Sequence, residues 1–270
     1  MELAGRHVVI TGAGSGIGRA LARRIASERP RAVVVADLEL EAVSSLADEI
    51  GGLAVSADVG RERALQALVR RARDAHGPID LFCSNAGVPG PAGGPEAPDR
   101  EWRRTWDVNV MAHVWAARAL LPEMVARGEG YLFSTASAAG LLTQVSALAY
   151  SATKHAAVAV AEWLAINYAD AGIRVSCLCP QAVRTPMLER ALEDPVGAGP
   201  LLAGGVLEPG EIADVAVAGI REERFLILPH PEVAQHMALK GAQTERWLAG
   251  MRRLVREGRS AAPRAQREEE

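Results

Sequence analysis

The chain has 270 residues, 49% of them apolar and 23% charged, with a formal net charge of -3. That length suits one α/β domain with a sizeable core better than two, and the near-neutral balance, with arginines interleaved among carboxylates, excludes a basic face for nucleic acid. No run reaches the roughly 18 uninterrupted apolar residues of a membrane span, and "MELAGRHVVITG" enters a strand pattern too soon to hold a signal peptide.

Along the chain, short β-rich runs alternate with amphipathic stretches, the mark of βαβ units around a parallel sheet. Strands are expected at His7–Ile10, Ala32–Ala36, Leu53–Ala57, Ile79–Ser84, Tyr131–Ser134, Val175–Cys179 and Arg224–Leu228. Helices are expected to begin near Ile17, Leu40, Glu62, Arg100, Ala149 and Pro209. Runs such as "AVVVA" and "IDLFC" are apolar throughout, as strands covered on both faces must be. The domain is expected to span residues 1–257, with a helical extension from about residue 230 and a disordered tail over 258–270.

The first strand–helix junction, "HVVITGAGSGIGRA", places Gly12, Gly16 and Gly18 where backbone N–H groups and a helix N-terminus can converge on a phosphate. Glycines there let the backbone approach a ligand, although they can equally serve to fit a helix against a sheet. The second strand ends in Asp37, 19 residues past Gly18, where a carboxylate can accept hydrogen bonds from an adenosine ribose and would repel a ribose phosphate. Leu38 follows it, and Ser15 stands in the loop where a basic residue could have served a phosphate. These features favour NAD over NADP.

Two loops beyond strand ends are placed to wall a site: Val88–Asp99, rich in Pro and Gly, and a longer insertion, Pro186–Gly210. Cys83, Cys177 and Cys179 lie in apolar strand-like runs with no further ligands at metal spacing, so they read as buried free thiols in a reducing, cytoplasmic compartment, and no metal site is expected. Further on, Tyr150 and Lys154 stand four residues apart on a helical pattern, hence on one face. An ammonium near a tyrosine favours its anion, which makes Tyr150 a candidate general base.

Thr11-Gly12-x-x-x-Gly16-x-Gly18, Asn85-Ala86-Gly87 and Tyr150-x-x-x-Lys154, in this order over roughly residues 5 to 228, resemble the short-chain dehydrogenase/reductase family. The resemblance implies a Rossmann-type doubly wound parallel sheet of about seven strands with helices on both faces. It implies hydride transfer between a nicotinamide dinucleotide and a secondary alcohol or ketone, with Ser137, Tyr150, Lys154 and Asn109 as the catalytic set. Ser137, 13 residues before Tyr150, is preferred over Ser134 as the serine that binds the substrate oxygen. Asn109 would support a water chain to Lys154, or else be a helix asparagine satisfied locally.

For the cofactor, the resemblance implies the loop Gly12, Ser15, Gly16, Ile17 and Gly18; Asp37 at the ribose; Asp58 and Val59 at the adenine; the Asn85-Ala86-Gly87 turn; Tyr150 and Lys154; and Pro180, Val183 and Thr185 beside the nicotinamide. Gln181 departs from the family pattern, which has glycine there, and reads either as a pocket residue or as one turned to solvent. Ala138, Leu142, Gln181 and Met187 are the expected substrate pocket, suited to an apolar or bulky alcohol such as a steroid, terpenoid or aryl alcohol. The expected partners are that alcohol or ketone and further copies of the chain, as a homodimer through the long helices near Trp102–Arg127 and Tyr150–Ala171 or as a homotetramer. The extension with Lys240, Trp247 and Met251 departs from family members that end at a tetramer interface, and it would cap the pocket of a neighbouring subunit. An NADPH-dependent ketone or 3-oxoacyl reductase and a non-catalytic dinucleotide sensor are the alternatives.

Overall fold

A computed structural model describes residues 1–194, 196–197, 202 and 204–261. Its centre is a parallel sheet of β1 (His7–Thr11), β2 (Ala32–Asp37), β3 (Leu53–Ser56), β4 (Leu81–Ser84), β5 (Gly130–Thr135), β6 (Ile173–Leu178) and β7 (Leu226–Ile227). Their spatial order is β3-β2-β1-β4-β5-β6-β7. The order reverses between β1 and β4, and in an open parallel sheet that switch point opens a crevice beyond the carboxyl ends of the strands.

Alternation along each strand builds two cores. On β1, Val8 and Ile10 join Leu21 and Ile25 of α1 (Gly16–Ala26), together with Leu46 of α2 (Leu40–Ile50) and Ile212 of α9 (Pro209–Arg221). Val9 faces the other way, toward Leu65 and Leu68 of α3 (Glu62–His76), Leu120 of α5 (Ala112–Arg127) and Ala157 of α7 (Leu148–Tyr168). Both cores hold fully buried apolar side chains, which is why the central strands carry no polar face.

The expected strands appear with shifted ends. The last one keeps only two residues, while β6 begins two residues before the expected Val175. The helix expected near Arg100 is α4 (Asp99–Trp106), which runs through a π-turn at Asp107–Met111 into α5. Four helices lie where the sequence showed loop or only a general helical pattern. α6 (Ala139–Leu142) has four residues, too few to display a period. α8 (Pro186–Ala191) lies in the insertion, and its start was legible: Thr185 is the N-cap, accepting from Leu188 N at 3.3 Å, and Pro186 is the first helical residue. The extension folds as α10 (Glu232–Ala242) and α11 (Thr244–Ala261). Thus residues 258–261 continue a helix, and the remainder of the expected tail, 262–270, lies outside the described residues.

Among the described residues no helix is long and apolar enough to cross a membrane, and no three His, Cys, Asp or Glu side chains converge as a metal site. Cys83, Cys177 and Cys179 are free and buried.

Candidate active site

The crevice at the switch point is a cavity of about 1180 Å³. Its wall takes in the β1–α1 loop (Gly12, Ser15, Gly16, Ile17, Gly18), the end of β2 (Asp37, Leu38) and the end of β3 (Asp58, Val59). It continues through Asn85, Ala86 and Gly87, then Ser137, Tyr150 and Lys154, and finally Pro180, Gln181, Val183, Thr185 and Met187. Of the expected site residues, Asn109, Ala138 and Leu142 do not line it.

The glycines of the β1–α1 loop fit protein against protein. A Cβ on Gly18 would lie 2.1 Å from the Gly12 carbonyl oxygen, and one on Gly12, at φ +66°, would lie 2.7 Å from Ala86 Cα. A Cβ on Gly16 would meet Thr185 Cγ2 at 2.9 Å. The glycines thus serve packing while their loop lines the cavity: the loop closes on the Asn85 turn and on Thr185, and Gly12, Ser15, Gly16, Ile17 and Gly18 border the cavity. We expect Gly18→Ala to cost about 2–3 kcal/mol, the scale of an overpacked core site. A thermal melt reads this directly, and an unchanged midpoint would contradict the close approach.

Asn85 shows how the turn is locked. Its Nδ2 donates to the carbonyls of Thr11 and Gly12 at 3.0 and 3.2 Å, and Thr135 Oγ1 donates to its Oδ1 at 3.1 Å. Thr11 Oγ1 accepts from the backbone N of Asn85 and of Ala86. Asn85 is thus consumed in joining β1, β4 and β5, and Thr11 and Thr135 are supports that the sequence reading left unassigned.

The Asp37 side chain is aimed along the loop. Gly14 N donates to its Oδ2 and Leu38 N to its Oδ1, both at 2.8 Å. Four lone-pair sites on the two oxygens leave capacity for a ribose diol after these two bonds.

The reacting groups stand on β5, the turn after it and α7. Ser137 is buried, its Oγ accepts from Ala139 N at 3.1 Å, and it lies in hydrogen-bonding reach of the Tyr150 hydroxyl. Lys154 Nζ donates to the Thr135 carbonyl at 3.0 Å and sits 5.6 Å from the centre of the Tyr150 ring. Burial moves both groups toward their neutral forms: Tyr150 rises above the ordinary tyrosine value, with Ser137 pulling the other way, and Lys154 falls to about 8. The expectation that Lys154 by itself favours the tyrosinate is thus outweighed by desolvation in the protein alone.

Asn109 sits in the π-turn, 0% exposed, with its side chain fully engaged. Val88 N donates to its Oδ1 at 2.9 Å, and its Nδ2 donates to the Val88 carbonyl at 2.9 Å and to Thr153 Oγ1 at 3.1 Å. It therefore fixes the chain after the Asn85 turn against α7. A Cβ on Gly87 would lie 3.4 Å from both Asn109 Oδ1 and Lys154 Nζ, so the two side chains flank that glycine. His113, one turn on, is buried against Ser134 Oγ at 3.1 Å, and burial with the nearby Lys154 charge lowers it to about 3.

Gln181 lines the cavity, with its backbone N donating to His230 Nδ1 at 3.2 Å. Its Oε1 approaches Gly204 of the insertion, where a Cβ would lie 2.9 Å away. The side chain thus turns toward the insertion. Ala138 instead bonds Pro180, donating from N to its carbonyl at 2.8 Å.

A family model described as short chain dehydrogenase matches residues 6–195. The chain belongs to the short-chain dehydrogenase family. This short-chain dehydrogenase is 41% identical to 1-deoxy-11-beta-hydroxypentalenate dehydrogenase of Streptomyces exfoliatus over 207 residues, 74% of each chain. It is 36% identical to 2,5-dichloro-2,5-cyclohexadiene-1,4-diol dehydrogenase of Sphingobium indicum over 226 residues, covering 80% of this chain and 90% of the relative. Among solved structures, a short chain dehydrogenase/reductase from Burkholderia phymatum in complex with NAD superposes with a TM-score of 0.83 at 32% identity, covering 91% of this chain and 96% of the other. The protein is an oxidoreductase of the family that binds a nicotinamide dinucleotide.

Proposed function

We propose that this short-chain dehydrogenase oxidises a bulky, largely apolar secondary alcohol with NAD. The observation that carries the reading is the meeting of Ser137, Tyr150 and Lys154 on the wall of one cavity that also takes in Asp37. The residues fit the cofactor: the glycine loop lines the cavity, and the two backbone bonds that Asp37 accepts leave lone-pair sites on its oxygens. Gly12, Ser15, Gly16, Ile17 and Gly18 would hold the pyrophosphate, Asp37 the adenosine ribose, Asp58 and Val59 the adenine, Lys154 the nicotinamide ribose, and Pro180, Val183 and Thr185 the carboxamide side. When bound, the oxidised nicotinamide supplies the hydride acceptor and a positive charge.

Tyr150 takes the alcohol proton, Ser137 orients the substrate oxygen, and Lys154, with its ammonium on the Thr135 carbonyl, holds the charge that favours the tyrosinate. Asn109 keeps Val88 and α7 in place around them. Gln181 and Met187, with Gln144 and Ala147, supply the substrate wall. The relatives' names describe hydroxylated cyclic compounds, which supports a cyclic secondary alcohol as the substrate class. Exposed Trp163 and Ile166 on α7, 57% and 72% accessible, support a dimer through that helix. Free cysteines support a reducing, cytoplasmic setting.

The test is a pH profile of alcohol oxidation. The base must be deprotonated to act and burial raises its pKa, so neutral pH lies on the rising limb. We expect kcat/KM to climb about tenfold per pH unit through neutrality. The climb should flatten near pH 8, where Lys154, lowered to about 8, sheds its charge. A profile that is flat through neutrality would contradict Tyr150 as the base.

A further inference from the structure

The C-terminal extension is tied to the wall of its own chain's active site. Lys240 of α10 donates from Nζ to the carbonyl of Leu141, in α6, at 2.6 Å, and His155 Nε2 lies 3.5 Å from the same ammonium. His155 Nδ1 is 2.9 Å from the Ser151 carbonyl. A carbonyl only accepts, so Nδ1 donates to it and the ring is oriented with Nε2 toward Lys240.

Ser151 in turn staples the segment after α6: its Oγ accepts from Gln144 N at 2.9 Å and donates to the Gln144 carbonyl at 3.0 Å. Within that segment Gln144, Ser146 and Ala147 line the cavity. Thr143, just before them, has φ +74° and ψ 123°, a conformation that a β-branched residue keeps only when its surroundings impose it. Leu141 on one side and Gln144 on the other are the points at which it is imposed, and Lys240 reaches both, the second through His155 and Ser151.

The composition marks the same residue. Of the 30 Lys and Arg side chains, two are lysines, Lys154 and Lys240. The rest are arginines, and both lysines donate to a backbone carbonyl, Lys154 to that of Thr135 and Lys240 to that of Leu141.

We propose that Lys240 is a positioning residue that fixes the loop of residues 142–148, so that the C-terminal extension sets the affinity of this enzyme for its alcohol while leaving the proton-transfer groups untouched. The part concerning the alcohol rests on the function proposed above.

The experiment compares the full-length protein with Lys240→Met, a side chain of similar length without donors, and with Lys240→Gln, which keeps one donor group. Hydrogen exchange of the 142–148 amides should accelerate about tenfold in Lys240→Met, with the 85–88 amides unchanged. KM for the alcohol should rise about tenfold, the scale of one charge-assisted hydrogen bond, while kcat and the NADH dissociation constant stay within about twofold. Lys240→Gln should fall between. Unchanged exchange at 142–148 would overturn the proposal, as would an unchanged KM or a parallel loss of NADH binding. If the unaltered protein oxidises no alcohol, the proposed function fails by itself, and the exchange comparison still decides whether Lys240 holds the loop.

Discussion

Replacing Tyr150 with phenylalanine should lower kcat for alcohol oxidation about a thousandfold, within the range spanned by general acid–base groups. The substitution removes one oxygen and keeps the ring, so the packing of α7 and the Lys154 bond to the Thr135 carbonyl at 3.0 Å are preserved. NADH affinity should therefore change by less than about twofold. Ser137 remains to bind the substrate oxygen, but the hydroxyl proposed to accept the proton is gone. Steady-state rates together with nicotinamide fluorescence separate the two effects. Retained turnover would remove Tyr150 from the role of base; lost NADH binding would mean that the hydroxyl serves the cofactor.

Changing Asp37 to serine together with Leu38 to arginine should exchange the cofactor preference, with NADP use rising about a hundredfold relative to NAD. That is the size expected when an anion–anion repulsion is replaced by a charge-assisted hydrogen bond. In the native loop Asp37 accepts from Gly14 N and Leu38 N at 2.8 Å each, which fixes its side chain at the end of β2. Asp37 also abuts Gly14, where a Cβ would lie 2.9 Å from its Oδ2, and the shorter serine adds no bulk there. The ratio of kcat/KM values for the two cofactors measures the outcome. A ratio that does not move would show that discrimination resides elsewhere.

Much of this site was legible in the sequence because its residues stand at strand ends, where an apolar run followed by Gly, Asp or Asn marks both the element and its exit. Asp37 and Asn85 fall into that class, the Tyr150–Lys154 pair shows instead as a four-residue spacing on a helix, and the alternation of strands and helices foretold the parallel sheet. The glycines were only half legible: their neighbours, Ala86 and Thr185, lie far away in the chain and are joined to the loop only by the fold. The same holds for Asn109, whose partner Val88 lies 21 residues earlier, and for Gln181, whose turn toward the insertion depends on His230 and Gly204. Four-residue α6 and the bond from Lys240 to Leu141 left no periodic trace, since a contact across 99 residues imposes no spacing rule.

The most direct measurement is the reduction of NAD and of NADP by the purified protein across a panel of cyclic secondary alcohols, followed by nicotinamide absorbance. Alcohol-dependent reduction of NAD, with NADP a poor substitute, is the predicted result. Reduction confined to NADP, or tight NADH binding with no turnover of any alcohol or of the matching ketones, would contradict an NAD-dependent alcohol dehydrogenase and point to a reductase or to a dinucleotide sensor.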